Sequence, residues 1–416
     1  MIALTPIISA YLAIYLAVFI SELILERLNS AYLKIKGAEV PPPFQETISP
    51  IELKQIRLYT IEKTRFSMIQ TAVAKLSFLS IILSGVLPRL AEILQSLPVV
   101  PAGLIFFAVI GLVLSLIAVP FDYYHSFVIE SRYGFNTKTK GIWLTDLLKS
   151  TLIAAFIAAF LISAVLLAIH YIGGSWWLWA WAAFTGFQLF LIVIYPTRIA
   201  PLFNKFIPLQ DPDLKQAIET LAAREGLDIR GIYQMDASRR TRHTNAYFTG
   251  LGRSRRIVLF DSLIRSHPVN EILAILSHEI GHLKNNHINK QLAFSSLASL
   301  LLFGAASRLL TWESMYHGFG YTLSPPYIGL FLAGVLWEPV GFLLSPIGKV
   351  ISRKFERQAD AHSARAMHTA GPLAAALKKM ARDNLANLRP HPLYAWFHYS
   401  HPPLLERIEY LEALSE

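Results

Sequence analysis

The sequence predicts a mainly α-helical membrane protein that crosses the bilayer several times and carries a smaller cytoplasmic portion. Of its 416 residues, 54% are hydrophobic and only 16% are charged, whereas soluble domains average about 25% charged residues. Apolar stretches of transmembrane length recur along the chain, and the basic residues cluster between them. The composition excludes a small secreted domain, a coiled coil and a disordered chain.

Seven apolar stretches are long enough to cross about 30 Å of hydrocarbon as helices, which takes about 20 residues. The first stretch lacks a basic region before it and a small-residue cleavage site, so it is expected to be a retained helix rather than a signal peptide. The predicted spans are residues 6–25, 68–86, 101–120, 152–172, 176–195, 292–310 and 328–347.

The distribution of Lys and Arg between the spans predicts the orientation, because cytoplasmic loops carry an excess of these residues. This rule places the N-terminus outside and the C-terminus in the cytoplasm. The predicted organisation is spans one to five in 1–196, a cytoplasmic segment in 197–290, spans six and seven in 291–350 and a cytoplasmic C-terminal segment in 351–416. The informative basic residues are Lys34, Lys36, Lys54, Arg57, Lys63, Arg65, Arg132, Lys138 and Lys140.

Two of the charged residues inside predicted spans, Lys75 and Glu338, do not suit a simple lipid-facing position. Lys75 lies in the second span, and its long side chain is expected to snorkel toward the cytoplasmic interface. Glu338 in the seventh span is too short to snorkel, so it is expected to face a polar cavity or a partner inside the bundle. The net charge of +10 is explained by membrane orientation, and no nucleic-acid partner is predicted.

The cytoplasmic segment between spans five and six reads as a helix, a hairpin and a second helix. Helical spacing covers 213–225, and 231–235 and 256–260 have the composition of short strands. We expect these two strands to pair as a β-hairpin, with Gly250 and Gly252 closing the turn between them. A further helix is expected to begin after Ser266.

That further helix contains a metal-binding pattern, His278-Glu279-Ile280-Gly281-His282. Residues i and i+4 share a helix face, so both imidazoles can reach one metal ion, while Glu279 can act as a base toward its water. The chain has no cysteine, so any metal must be held by His, Asp or Glu. The pattern predicts a zinc site; an accidental pair of surface histidines is the alternative.

A catalytic zinc site needs a third protein ligand. Glu356 and Asp360, at i and i+4 after the last span, can both point to one face of a helix. The alternative is a solvated acidic pair among basic neighbours. The predicted orientation places this helix on the same side of the membrane as the histidines, which favours ligation.

With these motifs the chain resembles the Ste24-type integral-membrane zinc metalloproteases, also called CAAX prenyl protease 1, of the M48 peptidase family. The similarity covers nearly the whole chain. Besides the metal-binding pattern it rests on residues 134–136, 200–205, 245–248, 257–261 and 356–360, and on Ser400-His401-Pro402-Pro403 with Arg407.

The resemblance implies Glu356 as the third ligand of one zinc ion per chain and seven transmembrane helices enclosing a water-filled chamber. It also implies a zincin-like metalloprotease portion at the cytoplasmic end of that chamber. Because the long loops of eukaryotic members are absent, we expect a bacterial member in the inner membrane, and a prenylated substrate is left in doubt. Its partners are then a peptide substrate and the bilayer, and we expect a monomer.

The residues suggest a mechanism for peptide-bond hydrolysis. Glu279 would be the general base, and His401 and Arg407 would stabilise the oxyanion or bind substrate. Asp360 would orient a ligating histidine or assist proton transfer, and Asn245 lies in an extended stretch that could pair with substrate backbone. The plainer alternatives are a helix-start residue for His401 and a turn-forming asparagine for Asn245.

Two other functional classes remain open from the sequence, namely a transporter and a membrane scaffold that keeps a structural zinc. Neither requires Glu279 beside the histidines. Within the protease interpretation, CAAX-type processing of extended or C-terminal segments stands against quality control of membrane or misfolded proteins, as in HtpX-like relatives.

Overall fold

The structure, a computed structural model, describes residues 2–249 and 255–414. It is built from helices and one small sheet. The helices of the first half are α1 (Pro6–Lys36), α2 (Pro50–Leu83), α3 (Val86–Leu94), α4 (Val99–Tyr124), α5 (Lys140–Ile172) and α6 (Trp176–Ile194).

The second half alternates short helices with two long ones. These helices are α7 (Pro212–Arg224), α8 (Asp261–Ser266), α9 (Val269–Lys284), α10 (His287–Leu309), α11 (Glu313–Gly318), α12 (Pro326–Ala366), α13 (Gly371–Asp383), α14 (Pro392–His398) and α15 (Leu404–Ala413).

Within the described part of the chain, six helical stretches are long and apolar enough to cross a membrane. One of them, Lys140–Leu202, contains both α5 and α6, which a short turn at Gly173–Ser175 separates. Each of the seven predicted spans therefore lies in or largely within a helix of the structure. The count of seven crossings and the enclosed chamber stay predictions.

The membrane part packs around an aromatic core. Fully or nearly fully buried side chains of α1, α4, α11 and α12 meet there, including Tyr15, Phe106, Tyr316 and Leu332. This core fixes the position of α12, which then continues for more than 40 Å beyond Val335, at about 1.5 Å per residue.

The snorkelling predicted for Lys75 is wrong. Its ammonium lies 2.5 Å from Glu338 Oε1 and 3.0 Å from Glu22 Oε1, so it joins α1, α2 and α12 inside the bundle. An ammonium at this depth is stabilised by a paired carboxylate more than by stretching toward the interface. The expectation that Glu338 has a partner in the bundle is confirmed.

The predicted β-hairpin is corrected by the structure. A four-stranded mixed sheet has the order β1 (Phe206–Pro208), β2 (Gly231–Met235), β4 (Arg256–Phe260) and β3 (Ala246–Thr249). The two predicted strands, β2 and β4, are parallel neighbours, with Gly231 opposite Arg256 and Met235 opposite Phe260.

The physical reason is that β4 is a central strand. Its residues Ile257, Val258 and Leu259 are all buried, which is typical of a strand paired on both sides rather than of a hairpin edge. The antiparallel partner of β4 is β3, whose first residue Ala246 lies opposite Leu259. The predicted glycine turn at Gly250 and Gly252 lies outside the described residues.

A second core forms between this sheet and the helices around α9. Leu214, Ile218 and Leu221 of α7 are buried there, as the helical spacing predicted. They pack with the apolar face of α9, including Ile272 and Leu276. The functional helix is thus held between the sheet, α7, α12 and α13.

Candidate active site

Helix α9 presents the two histidines of the predicted metal-binding pattern on one face. His278 is buried and His282 half-buried, and their Nε2 atoms lie 3.2 Å apart. One helical turn separates them, so the i, i+4 spacing places both rings where they can reach one metal ion.

The C-terminal part of α12 brings a carboxylate to these nitrogens. Glu356 Oε2 lies 3.4 Å from His278 Nε2, and Glu356 Oε1 lies 3.3 Å from His282 Nε2. Contact between the helices is close because Gly281 has no side chain: a Cβ there would lie 2.9 Å from Ala359 Cα. The glycine inside the pattern therefore allows the third group to reach the histidines.

These three groups fit a metal ion. Their ligand atoms all lie within 4.8 Å of one another, and the nearest separations match the roughly 3.3 Å between neighbouring ligands of a tetrahedral zinc site. Glu356 Oε2 is buried and has no hydrogen-bond partner in the described part of the chain. The Arg407 guanidinium, whose Nη1 is 3.8 Å away, compensates its charge in part, and a metal ion held by the three groups would do so at closer range.

Two further residues hold His278 at Nδ1, the ring nitrogen that does not face Glu356. Asp360 Oδ1 lies 2.8 Å from His278 Nδ1, and the Asp360 carboxylate accepts two hydrogen bonds from Arg407, of 2.6 and 3.0 Å. Asp360 and Arg407 are both buried. A carboxylate at Nδ1 fixes the ring so that Nε2 faces the metal position.

His282 has an equivalent support that the sequence analysis missed. His287 Nδ1 lies 2.9 Å from His282 Nδ1, and His287 Nε2 lies 2.8 Å from Gln358 Oε1. Donation to the Gln358 oxygen leaves His287 Nδ1 as an acceptor, so His282 Nδ1 carries a proton and its Nε2 is free for a metal. Asn286, in the left-handed conformation with φ of 54°, starts α10 and turns His287 back toward α9.

The ionisation of the site follows from burial and these contacts. Burial lowers the pKa of His278, but hydrogen bonds to Asp360 and Glu356 outweigh it and raise that pKa to about 9. Burial opposes ionisation of Glu356 too, yet the two histidines hold its pKa well below the usual value. For Glu279, burial dominates and raises the pKa, in the direction that suits a general base near neutral pH.

His401 lies at the open side of the cluster. Its Nε2 is 3.3 Å from Glu356 Oε1, and 60% of its side chain is exposed. The loop that carries it is held by Arg353, whose Nη1 donates to the carbonyls of Ala395, Trp396 and Tyr399 at 3.3, 3.1 and 2.6 Å. An exposed imidazole beside the ligands is accessible to a substrate.

The stretch with Asn245 is placed at the edge of the sheet. Among residues 2–249 and 255–414, β4 is the strand that pairs with β3, on one side, and Asn245 immediately precedes β3. The Asn245 side chain is exposed and accepts a hydrogen bond from the Ala246 N–H. An unpaired strand edge offers backbone groups to an extended peptide.

Arg407, predicted to bind substrate or stabilise the oxyanion, points into the protein and contacts Asp360. Only 8% of its side chain is exposed. The structure thus brings His278, His282, Glu356, Asp360, His401 and Arg407 together around one point.

The comparisons with known proteins agree with this geometry. A family model described as "CAAX prenyl protease N-terminal, five membrane helices" matches residues 31–205, and the "Peptidase family M48" model matches residues 208–415. CAAX prenyl protease 1 of Saccharomyces cerevisiae is 33% identical, with 92% of this chain and 91% of that protein covered.

Two further relatives cover almost the whole chain. The CAAX prenyl protease 1 homolog of rice is 32% identical over 98% of this chain and 97% of its own length. A crystal structure of S. mikatae Ste24p is 32% identical and superposes with a TM-score of 0.90, covering 96% of this chain and 97% of that chain. The chain therefore belongs to the M48 peptidase family and is an integral-membrane metalloprotease.

Proposed function

We propose that the chain is a zinc-dependent endopeptidase that cleaves extended peptide segments, with His278, His282 and Glu356 as the zinc ligands. The observation that carries this proposal is the spacing of 3.2 to 3.4 Å between their ligand atoms. Bound zinc would polarise the scissile carbonyl and acidify water. A His₂Glu donor set is typical of catalytic zinc sites.

The other side chains of this site transfer the proton, stabilise the oxyanion and orient a ligand. Glu279, whose pKa burial raises, takes a proton from the attacking water and delivers it to the leaving amine. His401 donates a hydrogen bond to the oxyanion that develops on the substrate carbonyl. Asp360 and Arg407 act through His278: they fix its ring and do not touch the substrate.

The substrate lies extended along β3. The free edge of this strand offers main-chain partners, and Asn245 at its start offers an exposed side-chain amide. Pairing of this kind recognises backbone rather than side chains, so it suits varied flexible sequences. The names of the relatives favour CAAX-type processing over the HtpX-like quality-control alternative.

The membrane arrangement belongs to the same proposal. Seven spans would enclose a chamber, with the N-terminus outside and the zinc site of a monomer at the cytoplasmic end. The proposal keeps the four parts predicted from the sequence, which end at residues 196, 290, 350 and 416. The bacterial inner membrane stays a prediction. It was based on the absence of long loops, but the plant relative from rice also matches this chain over 97% of its own length.

The test is the variant Glu279→Gln. An amide cannot accept the proton, so turnover of a fluorogenic peptide should fall by about 10²- to 10⁴-fold. Zinc content should stay near that of the wild type, because Glu279 is not a ligand. Glu271→Gln, the same change in the first turn of α9, serves as the control and should keep activity.

Loss of zinc together with activity in Glu279→Gln would show that its role is misassigned. Activity that survives complete removal of metal by a chelator would refute the zinc mechanism.

A further inference from the structure

The short helix α14 has two faces of different character. Leu393 is 47% exposed and Trp396 is 48% exposed, and residues i and i+3 of a helix lie on the same side. We call these two residues the outer face of α14. On the opposite side, Tyr394 and His398 pack against each other with ring centroids 4.5 Å apart, and these two residues form its inner face.

The inner face is turned toward the candidate metal site. Tyr394 borders a cavity of about 320 Å³. His398 borders another, of about 570 Å³, whose wall also contains His401 and Arg407. Because these cavities lie on the inner side of α14, the outer face is turned away from the interior of the protein.

Contacts with α1 indicate the level of α14 relative to the membrane. The Tyr394 hydroxyl donates to Glu26 Oε1 at 3.4 Å, and the His391 N–H donates to Asn29 Oδ1 at 3.0 Å. The predicted first span ends at residue 25, so both contacts lie within about one helical turn of that end.

Contacts with α12 give the same level independently. The rings of Phe397 and Phe342 have centroids 4.5 Å apart, and Arg353 Nη1 donates to the Trp396 carbonyl at 3.1 Å. Residues 342 and 353 lie on either side of residue 347, where the last predicted span ends. Helix α14 is therefore held beside the membrane boundary of two helices.

The exposed side chains of α12 change character at this same level. Leu343, Ile347 and Val350 are exposed and apolar, whereas Lys354 and Arg357 are exposed and basic. Apolar side chains suit acyl chains, and basic ones suit the anionic headgroups of a cytoplasmic leaflet. The outer face of α14 adjoins this transition.

We propose that α14 lies at the bilayer surface and that its outer face binds phospholipid, with Trp396 at the boundary between headgroups and acyl chains. Tryptophan is enriched at that depth because its ring is apolar while its N–H finds polar partners. His401 follows α14 by three residues, so the lipid contact holds the His401 loop from outside, as Arg353 holds it from inside.

This inference goes beyond the proposed function, and its test does not require peptidase activity. The chain has no cysteine, so Leu393→Cys and Trp396→Cys each allow one nitroxide label on the full-length, zinc-loaded protein. The labelled proteins are placed in vesicles of phosphatidylcholine and phosphatidylglycerol, and variants that keep the wild-type zinc content are measured.

The matched controls are Leu344→Cys and Arg357→Cys, two exposed positions of α12. They are 13 residues or roughly 20 Å apart along the helix. Electron paramagnetic resonance compares how often each label collides with oxygen, which concentrates in lipid, and with a charged chelate that stays in water. Labels at positions 393 and 396 should meet oxygen several-fold more often than the chelate, at a depth between the two controls.

Three results would overturn the inference. Labels that meet the chelate as often as Arg357→Cys does would place the outer face in water. Labels as deep as that of Leu344→Cys would place α14 in the hydrocarbon and not at the surface. Labels shielded from both oxygen and the chelate would show that protein, such as a second copy of the chain, covers this face.

Discussion

Gly281 sets the distance between the two helices that share the metal site. A Cβ at this position would lie 2.9 Å from both Ala359 Cα and His362 Cβ, whereas ordinary contacts are 3.4–4 Å. Gly281→Ala must therefore push α12 away from α9 by roughly 0.5 Å, because backbone cannot rotate aside as a flexible side chain does. Metal–ligand distances tolerate only about ±0.2 Å.

The expected result is a loss of zinc affinity of about 10- to 100-fold, in the range found when the support of a ligand is disturbed. Stability should fall by about 1–3 kcal/mol, as for other overpacked sites. Zinc affinity is measured by competition with a chromophoric chelator, and stability by thermal unfolding of the metal-free protein.

The matched control is Gly348→Ala in α12, where an added Cβ meets no atom within 4 Å. Alanine is the better helix former there, so Gly348→Ala should be neutral or slightly stabilising. If Gly281→Ala binds zinc as tightly as Gly348→Ala, the close approach of the helices is not what positions Glu356, and the reasoning fails.

Two further predictions concern the ligands and their supports. Glu356→Ala should release most of the zinc, while Asp360→Asn should lower activity more than metal content; metal analysis that gives the reverse order would make Asp360 the ligand. Arg353→Ala should lower kcat by about tenfold with zinc retained, since it frees the His401 loop. That effect should be absent in a His401→Ala background, and Arg357→Ala, exposed one turn away, should be silent.

Local spacing predicted the parts of the site that one helix supplies. His278 and His282 share a face by helix geometry alone, and the structure places them as expected. The pairing of Glu356 with them depends on the packing of α12 against α9, which no local pattern encodes. The predicted orientation favoured acidic residues on the same side of the membrane as the histidines, and the family resemblance identified Glu356 as the third ligand.

The supports behind the ligands show the same limit. Arg407 contacts Asp360 from 47 positions further along the chain, and a lone arginine carries no signal of such a partner. His287 did carry one, because it follows His282 by five residues across Asn285-Asn286, and asparagine tolerates the left-handed conformation. The spacing alone does not show whether such a histidine contacts the metal position or the other nitrogen of His282.

The sheet was mispredicted for a related reason. The residue composition identified β2 and β4 as strands but contained no information on their direction. The run of three buried apolar residues in β4 was the available indication of a central strand.

Helix α12 joins the membrane part to the chemistry. Glu338, paired with Lys75, and Glu356 lie on the same helix, 18 residues or about 27 Å apart. The segment of residues 197–290, which contains His278 and His282, supplies only two of the three candidate ligands, so it cannot complete the metal site by itself. The position of the third ligand is fixed by how α12 leaves the bundle, and Pro339 and Pro346 lie inside this helix before Glu356. Assembly of the metal site therefore requires correct packing of the membrane helices.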